Sequence, residues 1–169
     1  VRLKGGERVE CAFVVSNADP SFVYSQMIDA KHRKKHSDRK VASKHPSMSL
    51  FVGYFGAERT FEDLAHHTII LGPRYRGLLD DIFDNKVLAD AFSLSLHAPA
   101  RSDATMAPKG KESFYVLSPV PNLRGNITWE KEGERYFDKI LEECERRVAP
   151  GLVGSVSSRS FVTPHYFKD

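Results

Sequence analysis

The sequence predicts an α+β domain in which helices pack on one face of a mixed or antiparallel sheet. Three stretches read as strands: "SMSLFVGYFGA" (47–57), "FSLSLHAP" (92–99) and "SFYVLSPV" (113–120). They follow one another without the regular β–α alternation of a parallel sheet, which favours α+β. "WEKEGERYFDKILEECERRV" (129–148) is an amphipathic helix whose apolar residues recur at helical spacing. Its predicted buried stripe consists of Phe137, Ile140, Leu141, Cys144 and Val148.

The first elements are a hairpin, a turn and a short helix. Gly5-Gly6 supplies the positive φ angles of a tight turn within 1–15, where "AFVV" (12–15) reads as the end of a buried strand. "SNADP" (16–20) is a polar turn, and Pro20 opens a helix over "PSFVYSQMI". We expect the inner face of that helix to be formed by Phe22, Val23, Met27 and Ile28.

The remaining elements complete five or six strands. Strand 47–57 carries apolar residues on both faces, so we expect both faces to be covered. "TFEDLA" resembles a capping box from Thr60 to Asp63 and predicts a helical turn. "HTIILG" (67–72) is a further strand, after which Pro73 starts a helix through "RYRGLLDDIF". "SVSSRSFVTP" (155–164) is the last strand.

The charge of the chain is concentrated in one segment. The net charge is +3, but "KHRKKHSDRKVASK" (31–44) holds seven Lys/Arg and one Asp, so that segment carries +6 and the rest of the chain −3. Three interpretations stay open: a solvated surface segment, contact with anionic lipid headgroups, or nucleic-acid binding. Nucleic acid is the least favoured because no aromatic residues interleave the basic ones.

Cysteines and histidines point to no separate chemistry. Cys11 and Cys144 are far apart, and we expect both to be small core residues in a reducing cytoplasm. His66 and His67 are adjacent, so on a strand they would point to opposite faces and could not easily share an ion. His32 and His36 have helical ligand spacing but lie among lysines and arginines. We therefore expect no metal.

Several stretches, in order, resemble the carotenoid-forming phytoene desaturases of bacteria and fungi. They are "RVECAFVVSNADP", "SLFVGYFGAERTFEDLAHHTIILGPRYRGLLDDIF", "FSLSLHAP", "SDATMAPKGKESFYVLSPVPNL" and "SFVTPHYFKD". The resemblance implies an FAD-dependent enzyme that dehydrogenates the C40 polyene phytoene. The N-terminal G-x-G-x-x-G of that family does not occur in the chain, which does not begin with Met. The resemblance thus implies a central-to-late portion of such an enzyme.

The resemblance also implies domain boundaries and site residues. Residues 1–20 would be the tail of the FAD-binding domain and 21–169 a substrate-side sheet and helix domain. Ser16, Asn17 and Ala18 would lie near FAD in the intact enzyme, although we expect no FAD on this chain alone and no activity from it. Phe51, Phe55 and Tyr115 are the candidate substrate contacts. The alternative for "SNADP" is a simple helix-capping turn.

A substrate without polar groups implies an apolar channel and a membrane from which it is drawn. We expect a cytoplasmic, peripherally membrane-associated protein that binds a long hydrophobic polyene and no nucleic acid. Two alternative functions remain open. One is a hydrophobic-ligand binding module without catalysis, and the other is a carotene isomerase or another polyene oxidoreductase of the same superfamily.

Overall fold

Five antiparallel strands form one sheet in the computed structural model, which describes residues 1–91 and 93–168. The strands are β1 (Ser49–Ala57), β2 (His67–Ile70), β3 (Leu94–His97), β4 (Glu112–Val120) and β5 (Val156–Val162), in the spatial order β2-β3-β4-β1-β5. Every neighbouring pair is antiparallel. The predicted α+β class with an antiparallel sheet is confirmed. Residue 92, where the third predicted strand was to begin, lies outside the described residues.

One long helix, α4 (Trp129–Arg147), covers one face of this sheet. The predicted stripe is confirmed: Phe137, Ile140, Leu141 and Cys144 are buried, and Val148 packs against the same cluster from just beyond the helix end. The Phe137 ring contacts Phe51 and Phe55 of β1 with ring centroids 5.8 and 6.1 Å apart. Between these two phenylalanines lies Gly53, whose missing side chain leaves the space that Phe137 fills.

The core therefore lies between α4 and the sheet. Its fully buried side chains include Phe51, Phe137, Leu94, Leu96, Ile140, Leu152 and Val116. Tyr136 and Ser118 form a polar contact inside this layer, with their hydroxyl oxygens 2.8 Å apart. A buried hydroxyl pair of this kind satisfies groups that would otherwise cost free energy to desolvate.

The connections differ from the sequence expectations at one point. The helix predicted after Pro73 is present as α3 (Tyr75–Asp80), which continues as a wider helical turn over Asp81–Asn85. The capped helical turn predicted at Thr60 is not present. Residues 60–65 form only a turn, in which the Leu64 N–H donates to the Phe61 carbonyl. Phe61 and Leu64 are buried, so packing of these two side chains accounts for the conformation.

Contacts divide the chain into two compact units, residues 1–46 and 47–169. In the first, the turn at Gly5-Gly6 is confirmed, with Gly6 at φ 90° and a bridge between Arg2 and Arg8. The buried strand predicted at 12–15 is wrong, because no described residue pairs with it and Val15 is 97% exposed. Cys11 is likewise exposed rather than buried.

The predicted helix after Pro20 is present in the first unit as α1 (Pro20–Phe22), followed by a wider helical turn over Val23–Met27. Its predicted inner face is wrong for Phe22 and Met27, which are 55% and 56% exposed. The Asp19 carboxylate caps this helix by accepting from the Ser21 and Phe22 N–H groups. The basic segment contains a short turn at Ala30–His32 and α2 (Asp38–Ala42), and its charged side chains are mostly exposed. None of the helices in the described part of the chain combines the length and apolarity needed to span a bilayer.

Candidate functional site

The sheet face opposite α4, here called the open face, carries a row of residues that crosses all five strands. Cross-strand pairing aligns Ser160, Tyr54, Tyr115, His97 and His67 in that order. Two residues along, the parallel row is Val162, Val52, Leu117, Ser95 and Ile69. The open face therefore joins an aromatic and histidine row to a largely aliphatic one.

Much of this surface is available to a ligand within residues 47–168. Tyr54 is 46% exposed and Ile69 is 64% exposed, although Val52, two residues before Tyr54 on the same face of β1, is buried. The sequence expectation that both faces of β1 are covered is met on the α4 side and at Val52, but not at Tyr54. Exposed aromatic and aliphatic groups on one sheet face are typical of a ligand or partner surface.

A groove of about 810 Å³ runs over part of the open face. Its walls combine Tyr54, Tyr115 and His97 with the loop that follows β3, which contributes Pro99, Met106 and Pro108. At its rim the Lys111 ammonium lies 2.6 Å from a Glu58 carboxylate oxygen. The hydrogen bond from Lys111 lowers the pKa of Glu58. The groove has the size expected for a small-molecule site, and its lining includes two further charged residues, Glu112 and Arg159.

The polar groups in the centre of the groove are held neutral. Burial raises the pKa of Tyr115, and the nearby Tyr54 raises it further. Burial and the neighbouring His67 and His66 lower the pKa of His97. A neutral phenol and a neutral imidazole at pH 7 make this surface compatible with an uncharged ligand.

The predicted substrate residues do not lie together. Tyr115 is on the open face, with its ring centroid 5.6 Å from that of Tyr54. Phe51 and Phe55 point to the α4 side, where they are 0% and 4% exposed. Alternation along β1 and β4 explains the separation, since Phe55 pairs with Phe114 and Tyr54 with Tyr115. Contact of these three residues with a substrate stays a prediction, and only Tyr115 has the exposure for it.

The predicted cofactor residues lie in an exposed turn. Ser16, Asn17 and Ala18 are all exposed, and the Ala18 N–H lies 3.3 Å from the Ser16 hydroxyl. The helix start that follows is already capped by the Asp19 carboxylate. A helix N-terminus whose donors are taken by its own carboxylate does not fit the anionic pyrophosphate of FAD. The contact with FAD stays a prediction.

Three histidines come together at the β2–β3 edge of the open face. His67 and His97 are cross-strand partners whose rings stack 4.3 Å apart at 8°. His66 lies just before β2, with its Nδ1 2.7 Å from His67 Nδ1 and its Nε2 3.1 Å from His97 Nε2. The expectation that His66 and His67 point apart is wrong, because His66 is outside the strand and free of its alternation.

Sequence reasoning missed Tyr54 and this histidine cluster. The alternation in "FSLSLHAP" placed His97 on the polar face of its strand, but not opposite any particular residue. The pairing of β2 with β3 supplies that information, and a connection of more than 20 residues between them leaves the register undetermined by the sequence.

Residues 47–168 thus form an α+β unit whose antiparallel sheet has one face covered by α4 and one open face. None of the protein-family models matches the chain. The phytoene desaturase (lycopene-forming) of Pantoea ananas is 41% identical over 170 residues and all of this chain. That of Pseudescherichia vulneris is 43% identical over 173 residues. The phytoene desaturase (neurosporene-forming) of Rhodobacter capsulatus is 40% identical over 174 residues.

These matches confirm the resemblance to phytoene desaturases along the whole chain. The chain spans about a third of the length of these relatives, between 33% and 35% for the three named above. A relative named zeta-carotene-forming phytoene desaturase, from Myxococcus xanthus, is 36% identical over 92% of the chain. The relatives thus differ in the product that their names state.

Proposed function

We propose that the chain is the substrate-side portion of an FAD-dependent phytoene desaturase of carotenoid biosynthesis. The open face, with its aromatic and aliphatic rows, is the observation that carries this proposal. Residues 21–169 form one wall of a channel for a long polyene, and residues 1–20 belong to the cofactor side. The similarity to phytoene desaturases along the whole chain supports the assignment.

The physical chemistry of a C40 hydrocarbon agrees with this surface. Such a molecule offers no charged or hydrogen-bonding group, so its recognition rests on shape and on burial worth roughly 25 cal/mol per Å² of apolar surface. Tyr54, Tyr115 and Leu117 on the adjacent strands β1 and β4 supply an apolar surface, and Ser95 and His97 of β3 separate it from Ile69 at the sheet edge. The flavin supplies the redox chemistry in this class, so the chain needs to position the polyene rather than transfer protons to it.

The test is a chimera in which this chain replaces the matching third of the Pantoea ananas enzyme. The chimera is produced in a bacterial host that accumulates phytoene, and the coloured products are separated and quantified. We expect lycopene formation to be retained. A soluble, flavin-loaded chimera that leaves phytoene unchanged would contradict the proposal.

Two matched variants of the chimera test the open face itself. Ile69→Lys places a charge on the open face at a site that is 64% exposed, so folding is unaffected while polyene conversion falls. Val153→Lys makes the same change at a 43% exposed residue outside the open face and serves as control. Equal polyene conversion by the two variants would show that the substrate does not contact the open face.

The second candidate is a hydrophobic-ligand binding module without catalysis. The Ser16–Ala18 turn favours it, since the helix start beside that turn is already capped by Asp19. We expect the purified chain to show no flavin absorbance after gel filtration and no desaturase activity. The binding module is favoured if the chimera is inactive while the chain alone takes up phytoene from detergent. A carotene isomerase is favoured if the chimera changes only double-bond geometry.

Peripheral membrane attachment at the cytoplasmic face belongs to the same proposal. Phytoene must be drawn from a bilayer, and the first unit combines an exposed apolar helix with a basic segment. Phe22 and Met27 are 55% and 56% exposed, and Lys34 and Lys35 are exposed a few residues further on. An exposed apolar group followed by basic side chains is suited to an anionic interface.

A further inference from the structure

We propose that His66, His67 and His97 form a binding site for one divalent transition-metal ion of the zinc class. One imidazole nitrogen from each residue can be chosen so that all three lie within 4.8 Å of one another. Three nitrogen ligands with an open fourth position are a common arrangement for Zn²⁺ in proteins. The site is independent of the proposed function, since it rests only on the geometry of the sheet edge.

The backbone fixes two of these ligands without any contribution from the ion. His67 and His97 occupy directly opposed positions in the β2–β3 pair. Their rings stack nearly parallel, 4.3 Å apart, so one of them must turn before both in-plane lone pairs can point at the same ion. The sheet hydrogen bonds hold both Cβ atoms in place, so only the side-chain torsions have to change when an ion binds.

The third ligand is held by a further backbone hydrogen bond. The Ala98 N–H donates to the His66 carbonyl at 2.9 Å, which extends the β2–β3 ladder by one residue. The His66 ring then meets the other two rings edge to face at 4.5 Å. Nitrogens bound to one tetrahedral zinc ion lie roughly 3.3 Å apart. The contacts of 2.7 and 3.1 Å use the two different nitrogens of His66, so the rings must turn until each offers one nitrogen to the ion.

The ring contacts also define what the cluster does without metal. His66 is placed to bridge the other two rings through its two nitrogens, in a chain of hydrogen bonds whose direction depends on the tautomers. An ion replaces those shared protons and takes one nitrogen from each ring. Nitrogen ligands suit Zn²⁺, Co²⁺, Ni²⁺ and Cu²⁺ and do not suit Mg²⁺ or Ca²⁺, which prefer oxygen.

The surroundings give the ion access and a neighbour. His67 is exposed and His66 is half-buried, so the ion enters from solvent. His97 lines the groove of the open face, and its ring centroid lies 6.1 Å from that of Tyr115. A metal at this position would sit at the edge of the groove and leave its fourth coordination position to water or to a small ligand.

The test titrates the chelator-treated 169-residue chain with Co²⁺ and follows the visible absorption of the bound ion. Zn²⁺ is then added to displace Co²⁺ and so to measure its affinity. We expect one ion per chain and the intense bands of four-coordinate cobalt. His67→Gln removes an exposed ring that contributes nothing to the core, and it should weaken binding by roughly 100-fold or more. His97→Gln should do the same.

Matched controls separate this site from adventitious histidine binding. His45→Gln and His165→Gln each remove an exposed histidine away from the cluster and should leave affinity and spectrum unchanged. Zn²⁺ should also raise the melting temperature of the wild-type chain but not that of His67→Gln, since binding to the folded state alone stabilises it. Equal affinities of His67→Gln and His45→Gln, or no cobalt spectrum in the wild type, would overturn the proposal.

Discussion

At the residue scale, Gly53 shows how a missing side chain positions the helix on the sheet. A Cβ at this position would lie 2.5 Å from Phe137 Cε2 and 3.1 Å from a Val116 methyl group. Phe137 is 0% exposed and packed on several aromatic rings, so it has no space to move into. The glycine is therefore needed for close approach and not for its backbone freedom.

We expect Gly53→Ala to lower the free energy of unfolding by about 1–3 kcal/mol, the usual cost of overpacking a core. Urea unfolding followed by circular dichroism measures it. Gly154→Ala is the control, because a Cβ there meets nothing within 4 Å and the φ angle is not positive. A Gly53→Ala protein as stable as the control would contradict the packing described for Phe137.

Cys144 makes the stability of the chain sensitive to alkaline pH. Burial, and to a lesser degree the neighbouring Glu143, raises the pKa of the Cys144 thiol from 9.0 to about 12. The unfolded thiol loses its proton near pH 9 while the folded one keeps it, so stability is fully present below pH 9. It falls between pH 9 and about 12, by up to roughly 1.4 kcal/mol per pH unit.

Urea unfolding in reductant at about pH 8 and about pH 10 tests this expectation. Cys144→Ala should show a smaller loss of stability between the two pH values than the wild type. Tyr136, whose pKa burial also raises, contributes a loss in the same direction that both proteins share. Cys11→Ala removes an exposed thiol and should behave as the wild type does. The expectation fails if all three proteins lose equal stability.

The two cysteines also show what a sequence can indicate about a single residue. Cys144 was predictable because four apolar neighbours at helical spacing place it on a buried stripe. Cys11 had only the short apolar run after it, and a run of that length is buried only if another strand pairs with it. The histidine cluster depends on a register between distant strands, which no local pattern contains.

At the scale of elements, α4 and the long strands were predictable because their patterns are long. Nine-residue β1 and β4 and nineteen-residue α4 each repeat their period several times. The conformation at Thr60 was not predictable from one S/T-x-x-D match, because the burial of Phe61 and Leu64 outweighs a single capping pattern. Phe51, Phe55 and Tyr115 were all recognised as sheet residues. The sequence did not indicate which face of the sheet a helix covers, because that depends on tertiary packing.

Arg159 joins the edge strand β5 to α4. It donates to the Asp138 carboxylate and, at 2.8 Å, to that of Glu134. Its guanidinium also lies 5.7 Å from the centroid of the Phe137 ring. The side chain is 38% exposed, so solvent weakens these charge interactions.

We expect Arg159→Gln to lower the free energy of unfolding by only about 0.5–1 kcal/mol, as exposed ion pairs do. The difference from wild type should shrink in about 1 M salt, where screening acts over a few ångströms. Lys131→Gln, an exposed substitution on the same helix, is the control for lost charge. An effect that is unchanged by salt would assign the stabilisation to packing of the guanidinium instead of to its charge.

At the scale of the whole molecule, the two units differ in how many of their large apolar side chains are buried. Residues 47–168 contain the aromatic core, whereas residues 1–46 leave Phe13, Val15, Phe22 and Met27 exposed. Exposed apolar residues of this size are suited to a partner surface. In the proposed enzyme, Phe13 and Val15 would face the cofactor side, and Phe22 and Met27 would face the bilayer.

Only some basic residues of the basic segment are exposed enough to contact a membrane. Six basic residues follow the Pro20 helix closely: Lys31, Arg33, Lys34, Lys35, Arg39 and Lys40. The Arg33 side chain is only 6% exposed and pairs with Asp38 at 2.5 Å, so it holds the segment together. The other five are exposed. At on the order of 1 kcal/mol for each basic residue near an anionic surface, five suffice for weak, salt-sensitive attachment.

We therefore expect the chain to sediment with anionic vesicles and not with neutral ones, and to be released by salt. Replacing the five exposed basic residues by Gln should abolish most of this binding. The control replaces five exposed basic residues of the second unit by Gln: Lys109, Arg124, Lys131, Arg135 and Lys168. Both variants have the same net charge, so only the position of the charge differs.

Because Phe22 and Met27 add apolar contact, Phe22→Ser in the wild-type background should weaken binding without altering its salt dependence. Equal sedimentation of the two five-residue variants would show that attachment follows net charge, and the basic segment would then not be a membrane anchor.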